Sequence, residues 1–371
     1  MQEDLQRAVP PTDESPAVVA PPPDYLATEE PVDDGTNPFI GRFGLRAGWG
    51  IALFFLIFTI LSFALLVAIR AAEGKSIMPK SSKSASSQSK PPVQAGDVGA
   101  RNAVLEDGSN FIAVALAGWI LSRIERRRFR VYGIGRNRLR DFLPGAFWGL
   151  ALLSMLVGTL RATHVLVFDG RALTGPAIFV FGAKWLVAFL CVGLFEESLT
   201  RGYLQYSLSR GLYGLGRRIS PNHARAVSFW IAAIFMSCLF GAGHLLNPGE
   251  SAPGIAAVFL AGMVFSYALW HTGSLWWAIG FHMAWDWAQS FLYGVPDSGF
   301  LSAGRLFHTH PTGNPLLSGG TAGPEGSVFV LPTLVLVMVI VRFTTPAGAQ
   351  PELEPLPKSH KLPPEPNAVI A

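Results

Sequence analysis

Long apolar runs broken by short, strongly basic loops set the pattern of this chain. Residues 49–69 run for 21 positions without a charge, enough to cross roughly 30 Å of hydrocarbon as a helix. Uncharged runs of near or full membrane length recur at 142–160, 226–243, 253–270 and 326–341. Three more are compromised. The run at 108–122 is short, that at 176–195 contains Lys184 and ends on two glutamates, and that at 274–293 is interrupted by His282 and Asp286. Together they predict eight spans, hence an all-α, polytopic membrane helix bundle of about eight transmembrane helices. The first run begins too far along the chain, and is too long, for a cleaved signal peptide, so it reads as a retained anchor.

The flanks differ in kind. Residues 1–44 are rich in proline and acid and 344–371 in proline, with little to bury, so both are predicted to be disordered around a membrane domain at 45–343. The stretch 74–96 is a Ser/Lys/Pro linker. Composition agrees: half of the residues are hydrophobic and 15% charged, against about 25% charged in soluble domains. Residues 122–141 carry eight arginines, and Arg210, Arg217, Arg218 and Arg225 follow the fourth run. The positive-inside rule places both loops in the cytoplasm, and eight spans then place both termini there too. The 74–96 lysines fall on the other side, but long loops obey the rule weakly. The net charge of +4 reflects this loop bias, and no aromatic-basic module points to nucleic acid. Cys191 and Cys238 sit inside apolar runs as small packing residues, with no disulfide framework or metal cluster implied.

Charge at membrane depth is costly and marks function. Three clusters qualify: Glu196, Glu197 and Arg201 in "FEESLTR"; Phe240 and His244 in "FGAGH"; His282 and Asp286 in "FHMAWDW". Helical residues four apart share a face, so Glu197 meets Arg201, Phe240 lies below His244, and His282 aligns with Asp286. Glu196 points about 100° away from Glu197, so the two glutamates have separate jobs. Glu197–Arg201 reads as a structural ion pair at the cytoplasmic end of its helix. A glutamate in an apolar pocket can serve as a general base. Beside His244, Glu196 could take a proton from water, while His282 and Asp286 hydrogen-bond the oxyanion of a tetrahedral intermediate. That is a water-activating amide hydrolase needing no cofactor. Its rival is a zinc-dependent version, with Glu196, His244, His282 and Asp286 as ligands. A proton-coupled transporter is disfavoured, because no pair of interrupted spans repeats in two halves. A non-catalytic scaffold or immunity protein is the other alternative, although every polar position of the clusters is filled.

E-E-x-x-x-R at 196–201, F-x-x-x-H at 240–244 and H-x-x-x-D at 282–286, in that order on late spans, resemble the CAAX protease and bacteriocin-processing (Abi) family of intramembrane proteases. The resemblance covers about 140–295. It implies an endopeptidase that cuts a membrane-associated protein or peptide, in a bacterial cell membrane. Glu196, aided by His244, would activate water, His282 and the residue at 286 would form the oxyanion site, and Glu197, Arg201 and Phe240 would support the architecture. Members that cleave prenylated proteins carry Asn at the last position, where this chain has Asp286. The partners implied are the lipid bilayer and a membrane-bound substrate, with no nucleic acid.

Overall fold

The computed structural model describes residues 37–74, 97–349 and 351–353. Most of the predicted N-terminal tail, the 75–96 part of the linker and the end of the C-terminal tail lie outside the described residues. A small antiparallel ribbon, β1 (Ile40–Gly41) with β2 (Gly44–Leu45), leads into α1 (Ala47–Ala72). Strand β3 (Asp97–Val98) precedes α2 (Ala100–Ile124), and two 3-10 turns, Phe129–Tyr132 and Arg136–Asp141, lead to α3 (Phe142–Ala162). Strand β4 (Leu166–Arg171) then connects to α4 (Ala177–Glu197). A π-helical turn, Ser198–Leu204, joins α4 to α5 (Gln205–Gly211), followed by α6 (Tyr213–Ile219), α7 (Ala224–Gly243) and α8 (Ala252–Thr272). The helix α9 (Trp276–Asp286) runs into a second π-helical turn, Trp287–Leu292. Strands β5 (Leu301–Ser302) and β6 (Phe307–Pro311), the short α10 (Pro315–Ser318) and α11 (Val330–Thr344) complete the order. β5 pairs parallel with β3, and β6 antiparallel with β4.

The helical bundle is as predicted, but the count of eight spans is not reached. Among the described residues, six helical stretches are long and apolar enough to cross a membrane: Ala47–Ala72, Ala100–Ile124, Phe129–Ala162, Ala177–Gly211, Pro221–Leu246 and Ala252–Thr272. The predicted seventh and eighth spans are helical but shorter, α11 having 15 residues. For the seventh, the reason is burial. Nine of the eleven residues of α9 are buried, so this helix is an internal strut and has little surface to match to lipid. The second span is longer than its uncharged run, because the helix begins at Ala100 and includes Glu106 and Asp107.

The centre of the bundle is the crossing of α3 and α9, and glycine permits it. A Cβ on Gly145 would lie 2.1 Å from the Trp277 carbonyl oxygen, one on Gly149 2.3 Å from that of Phe281, and one on Gly280 2.1 Å from that of Phe142. Gly145 and Gly149 form the small-xxx-small pattern by which membrane helices bring backbones together. Around this crossing pack Leu153, Leu156, Leu160, Ala268, Trp277 and Val337, all buried. Outward-facing Phe179, Leu143, Phe147 and Phe343 are exposed, as suits side chains whose solvent is hydrocarbon. Helix α1 is peripheral, with Gly50 and Phe54 its buried residues.

The start of the proline-rich C-terminal tail, predicted to be disordered, is docked over its described residues. Gly348 N–H donates to the His271 carbonyl, Tyr206 hydroxyl to the Glu352 carbonyl at 2.7 Å, and Leu353 is buried. It sits against a buried charge network in which Arg210 reaches Glu125 at 3.1 Å and Arg127 reaches Glu125 at 3.0 Å.

Candidate active site

Three helices bring the predicted residues to one cavity of about 470 Å³, and a fourth walls it. Glu196 comes from the end of α4, His244 from the end of α7, and His282 and Asp286 from α9; α8 supplies an apolar wall that includes Val264 and Phe265. Each of the two glutamate and aspartate motifs is followed at once by a π-helical turn, at Ser198–Leu204 and Trp287–Leu292. Such turns recur at functional sites because they re-aim side chains without ending the helix.

The neighbouring glutamates occupy different environments. The Glu196 side chain retains 26% exposure, whereas that of Glu197 has none. Arg201 Nη1 donates to Glu197 Oε1 at 2.9 Å. The pair is completely enclosed, where the sequence placed it at the membrane interface. Its enclosure is built from aromatic rings: the Arg201 guanidinium lies 4.1 Å from the centre of Phe240 and 5.6 Å from that of Phe265, a favourable contact for a desolvated cation. Gly262 on α8 completes it, since a Cβ there would lie 2.9 Å from Arg201 Nη2 and 2.7 Å from Ser237 Oγ.

His282 links this buried pair to the cavity. Its Nδ1 lies 3.1 Å from Glu197 Oε1. Because that carboxylate also accepts from Arg201, the imidazole is the donor, which fixes Nδ1 as the protonated nitrogen. The other nitrogen, Nε2, then faces Asp286 Oδ2 at 3.3 Å and Glu196 Oε2 at 3.7 Å. The Phe265 ring, 5.5 Å away and tilted by 32°, backs the imidazole. Thus Glu197 and Arg201 orient the histidine, and Glu196 and Asp286 share its cavity-facing atom.

His244 meets the cavity from the other side. Its Nδ1 lies 2.8 Å from the Phe240 carbonyl oxygen and so donates to it, leaving Nε2 as the acceptor nitrogen. Phe240 packs edge-on against this ring at 5.0 Å, so one residue braces both Arg201 and His244. The sequence placed Glu196 next to His244; the two share the cavity wall, while His282 is the imidazole within 3.7 Å of Glu196.

The cavity has further acids that the sequence did not single out. Glu106 and Asp107 enter from α2, and Asp297 and Glu325 from the loops after α9 and α10. Their signal is weak because the uncharged run at 108–122 begins after Glu106 and Asp107, and the other two flank apolar runs. Ser290 Oγ donates to Asp297 at 2.9 Å, and Gln289 Nε2 to Glu325 at 3.0 Å. Burial pushes the Asp297 carboxyl well above the usual carboxylate range, with Asp286 nearby adding to it. Burial, and then Asp297, push Glu325 up to about 8. Away from the cavity, His310 lies 2.8 Å from Asp169 on the exposed β4–β6 ribbon, and His271 ends α8 within 3.1 Å of the Thr345 carbonyl. As for the zinc set, no group of three or more His, Cys, Asp and Glu suited to a metal ion occurs among the described residues.

The fold and the site define a polytopic helical membrane protein with a carboxylate–imidazole cavity. Residues 178–288 match the family model described as type II CAAX prenyl endopeptidase Rce1-like, consistent with the CAAX protease and bacteriocin-processing family that the three motifs resemble. The match spans α4 to the turn after α9 and contains every residue from Glu196 to Asp286 discussed above. No curated protein and no solved structure matches the chain.

Proposed function

We propose that the protein is an intramembrane endopeptidase that hydrolyses a peptide bond of a membrane-associated protein or peptide. The single observation that carries this reading is His282, held through Nδ1 by buried Glu197 while its Nε2 faces Glu196 and Asp286 in the cavity. An imidazole anchored in this way, with its other nitrogen aimed at two carboxylates, is positioned to hold or pass a proton at that atom.

Glu196 takes a proton from a water molecule held between it and Nε2 of His244. The water oxygen attacks the scissile carbonyl carbon, and the carbonyl π pair moves to its oxygen. His282 and Asp286 hold the proton that this oxyanion accepts as a hydrogen bond, aimed in advance at a low-dielectric position. As the intermediate collapses, the C–N bond breaks and Glu196 returns its proton to the leaving nitrogen. Loss of one such group typically costs 10²–10⁴-fold.

Glu196→Gln tests the assignment. It should abolish cleavage of membrane-protein substrates in cells while expression and thermal stability in detergent stay at the wild-type level. Normal cleavage by this variant overturns the assigned base. The same inactive protein, used as a trap and analysed by mass spectrometry, identifies the substrate. We also propose that the reaction runs without metal: activity should survive exhaustive chelation, with no stoichiometric zinc in the purified protein.

A further inference from the structure

The helical order fixes which elements meet at each end of the bundle. Arg101 pairs with Glu73 at 2.5 Å, joining the end of α1 to the start of α2. The β4–β6 ribbon lies at that same end, since it follows α3 and precedes α4. Asn247 after α7 reaches the Ser298 carbonyl at 3.0 Å, and β3 pairs with β5, so those loops belong there too. The opposite end gathers the α2–α3 connection, α5, α6 and the C-terminal segment. There Arg210 bonds the Phe43 carbonyl at 3.0 Å, and Arg138 the Pro346 carbonyl at 3.4 Å.

Charge divides along the same line. The second end carries the eight arginines of 122–141 together with Arg210, Arg217, Arg218 and Arg225. The described loops of the first end carry Glu73, Asp97, Asp169, Glu250, Asp297 and Glu325 beside Arg171 and Arg305, and the helix ends there add Arg70, Arg101 and Arg161, still fewer basic residues than the second end holds. The positive-inside rule counts basic residues in short loops near span ends, and here it assigns the arginine-rich end to the cytoplasm. Residues 75–96 lie outside the described residues, and a stretch of that length weighs little by the same rule.

The cavity belongs to the first end. Above Glu196, His282 and Asp286 its wall is made by Asn102 and Glu106 at the start of α2, by Asn247, and by Ser298, Ser302 and Glu325 in the loops. None of the residues that line it comes from the arginine-rich connections.

We infer that the catalytic cavity opens to the extracytoplasmic face and that its substrate is a polypeptide presenting its cleavage site there, either the juxtamembrane segment of a membrane-anchored protein or a translocated peptide. This rests on the endopeptidase reading above and adds the side of the membrane from which substrate enters. Arg42 and Arg46 before α1, and the described residues after α11, then lie on the cytoplasmic side.

Two measurements on the full-length protein test it. In a Cys191→Ser, Cys238→Ser background, His308→Cys and Arg217→Cys each place one thiol on an exposed residue, one at each end. A membrane-impermeant maleimide on intact spheroplasts should label His308→Cys at least tenfold more than Arg217→Cys, and permeabilisation should equalise them. The reverse pattern overturns the orientation. In parallel, new protein N-termini are compared between cells expressing the wild type and Glu196→Gln. Those dependent on Glu196 should map to extracytoplasmic positions, and a cytoplasmic distribution overturns the proposed access. If no N-terminus depends on Glu196, the endopeptidase reading fails and the access claim falls with it, while the labelling still decides the orientation.

Discussion

At the residue scale, the pair Glu196–Glu197 shows how one position of sequence separates two kinds of chemistry. Glu197 is wholly enclosed, and its Oε1 accepts from both Arg201 and His282. Removing one member of a buried pair leaves the other charge desolvated and uncompensated, at about 3–5 kcal/mol. Glu197→Gln is therefore expected to lower thermal stability in detergent strongly, and activity with it. The double variant Glu197→Gln, Arg201→Met should recover most of the stability and none of the activity, because His282 still lacks its carboxylate. Parallel melting and cleavage measurements separate the two losses. Phe265 belongs to the same account: it touches both Arg201 and His282 from a helix that carries none of the three motifs. A single aromatic residue in an apolar run gives no sign of that role, so only the packing reveals it.

At the scale of elements, backbone proximity matters more than hydrophobicity. Helix α9 holds His282 and Asp286 on an internal strut, and its position depends on the glycines that let α3 approach it. Enlarging Gly149 to Ala places a methyl 2.3 Å from the Phe281 carbonyl, one residue from His282. Overpacking of this kind typically costs 1–3 kcal/mol. Gly149→Ala is expected to reduce both melting temperature and turnover. Gly158→Ala, on the same helix with open space at its Cβ, should change neither, as thermal melts and cleavage assays on both would show. The glycines were visible in the sequence, but which partner they admit was not, because a small-xxx-small pattern marks a close approach without naming the neighbour.

At the scale of the whole molecule, the acids at the cavity mouth tie stability to pH. Glu325 is raised to about 8 from an ordinary carboxylate value of 4.5, and Asp297 beside it is also raised. The folded protein therefore binds more protons than the unfolded chain between these values. Stability from this group is full below about 4.5 and is lost as pH rises through about 8, the direction linkage requires. Thermal melts in detergent should show falling stability from pH 5 to pH 8, and Glu325→Gln should flatten that slope. A wild-type slope unchanged in the variant would assign the effect elsewhere.

The sequence alone determined the class of molecule and singled out polar residues that line one cavity, Glu196, His244, His282 and Asp286. Length of apolar run, charge bias of loops and four-residue spacing are local properties, and local properties survive the absence of a fold. It also separated the environments of Glu196 and Glu197, since adjacent helical positions must diverge. What needed the tertiary structure was every relation between helices: that His282, rather than His244, stands beside Glu196; that Arg201 is sealed between two rings; and that the cavity mouth lies opposite the arginine-rich end. The seventh apolar run fell short of membrane length for the same reason. A helix buried by its neighbours is sized by the bundle and not by the bilayer, and no property of the run itself records who those neighbours are.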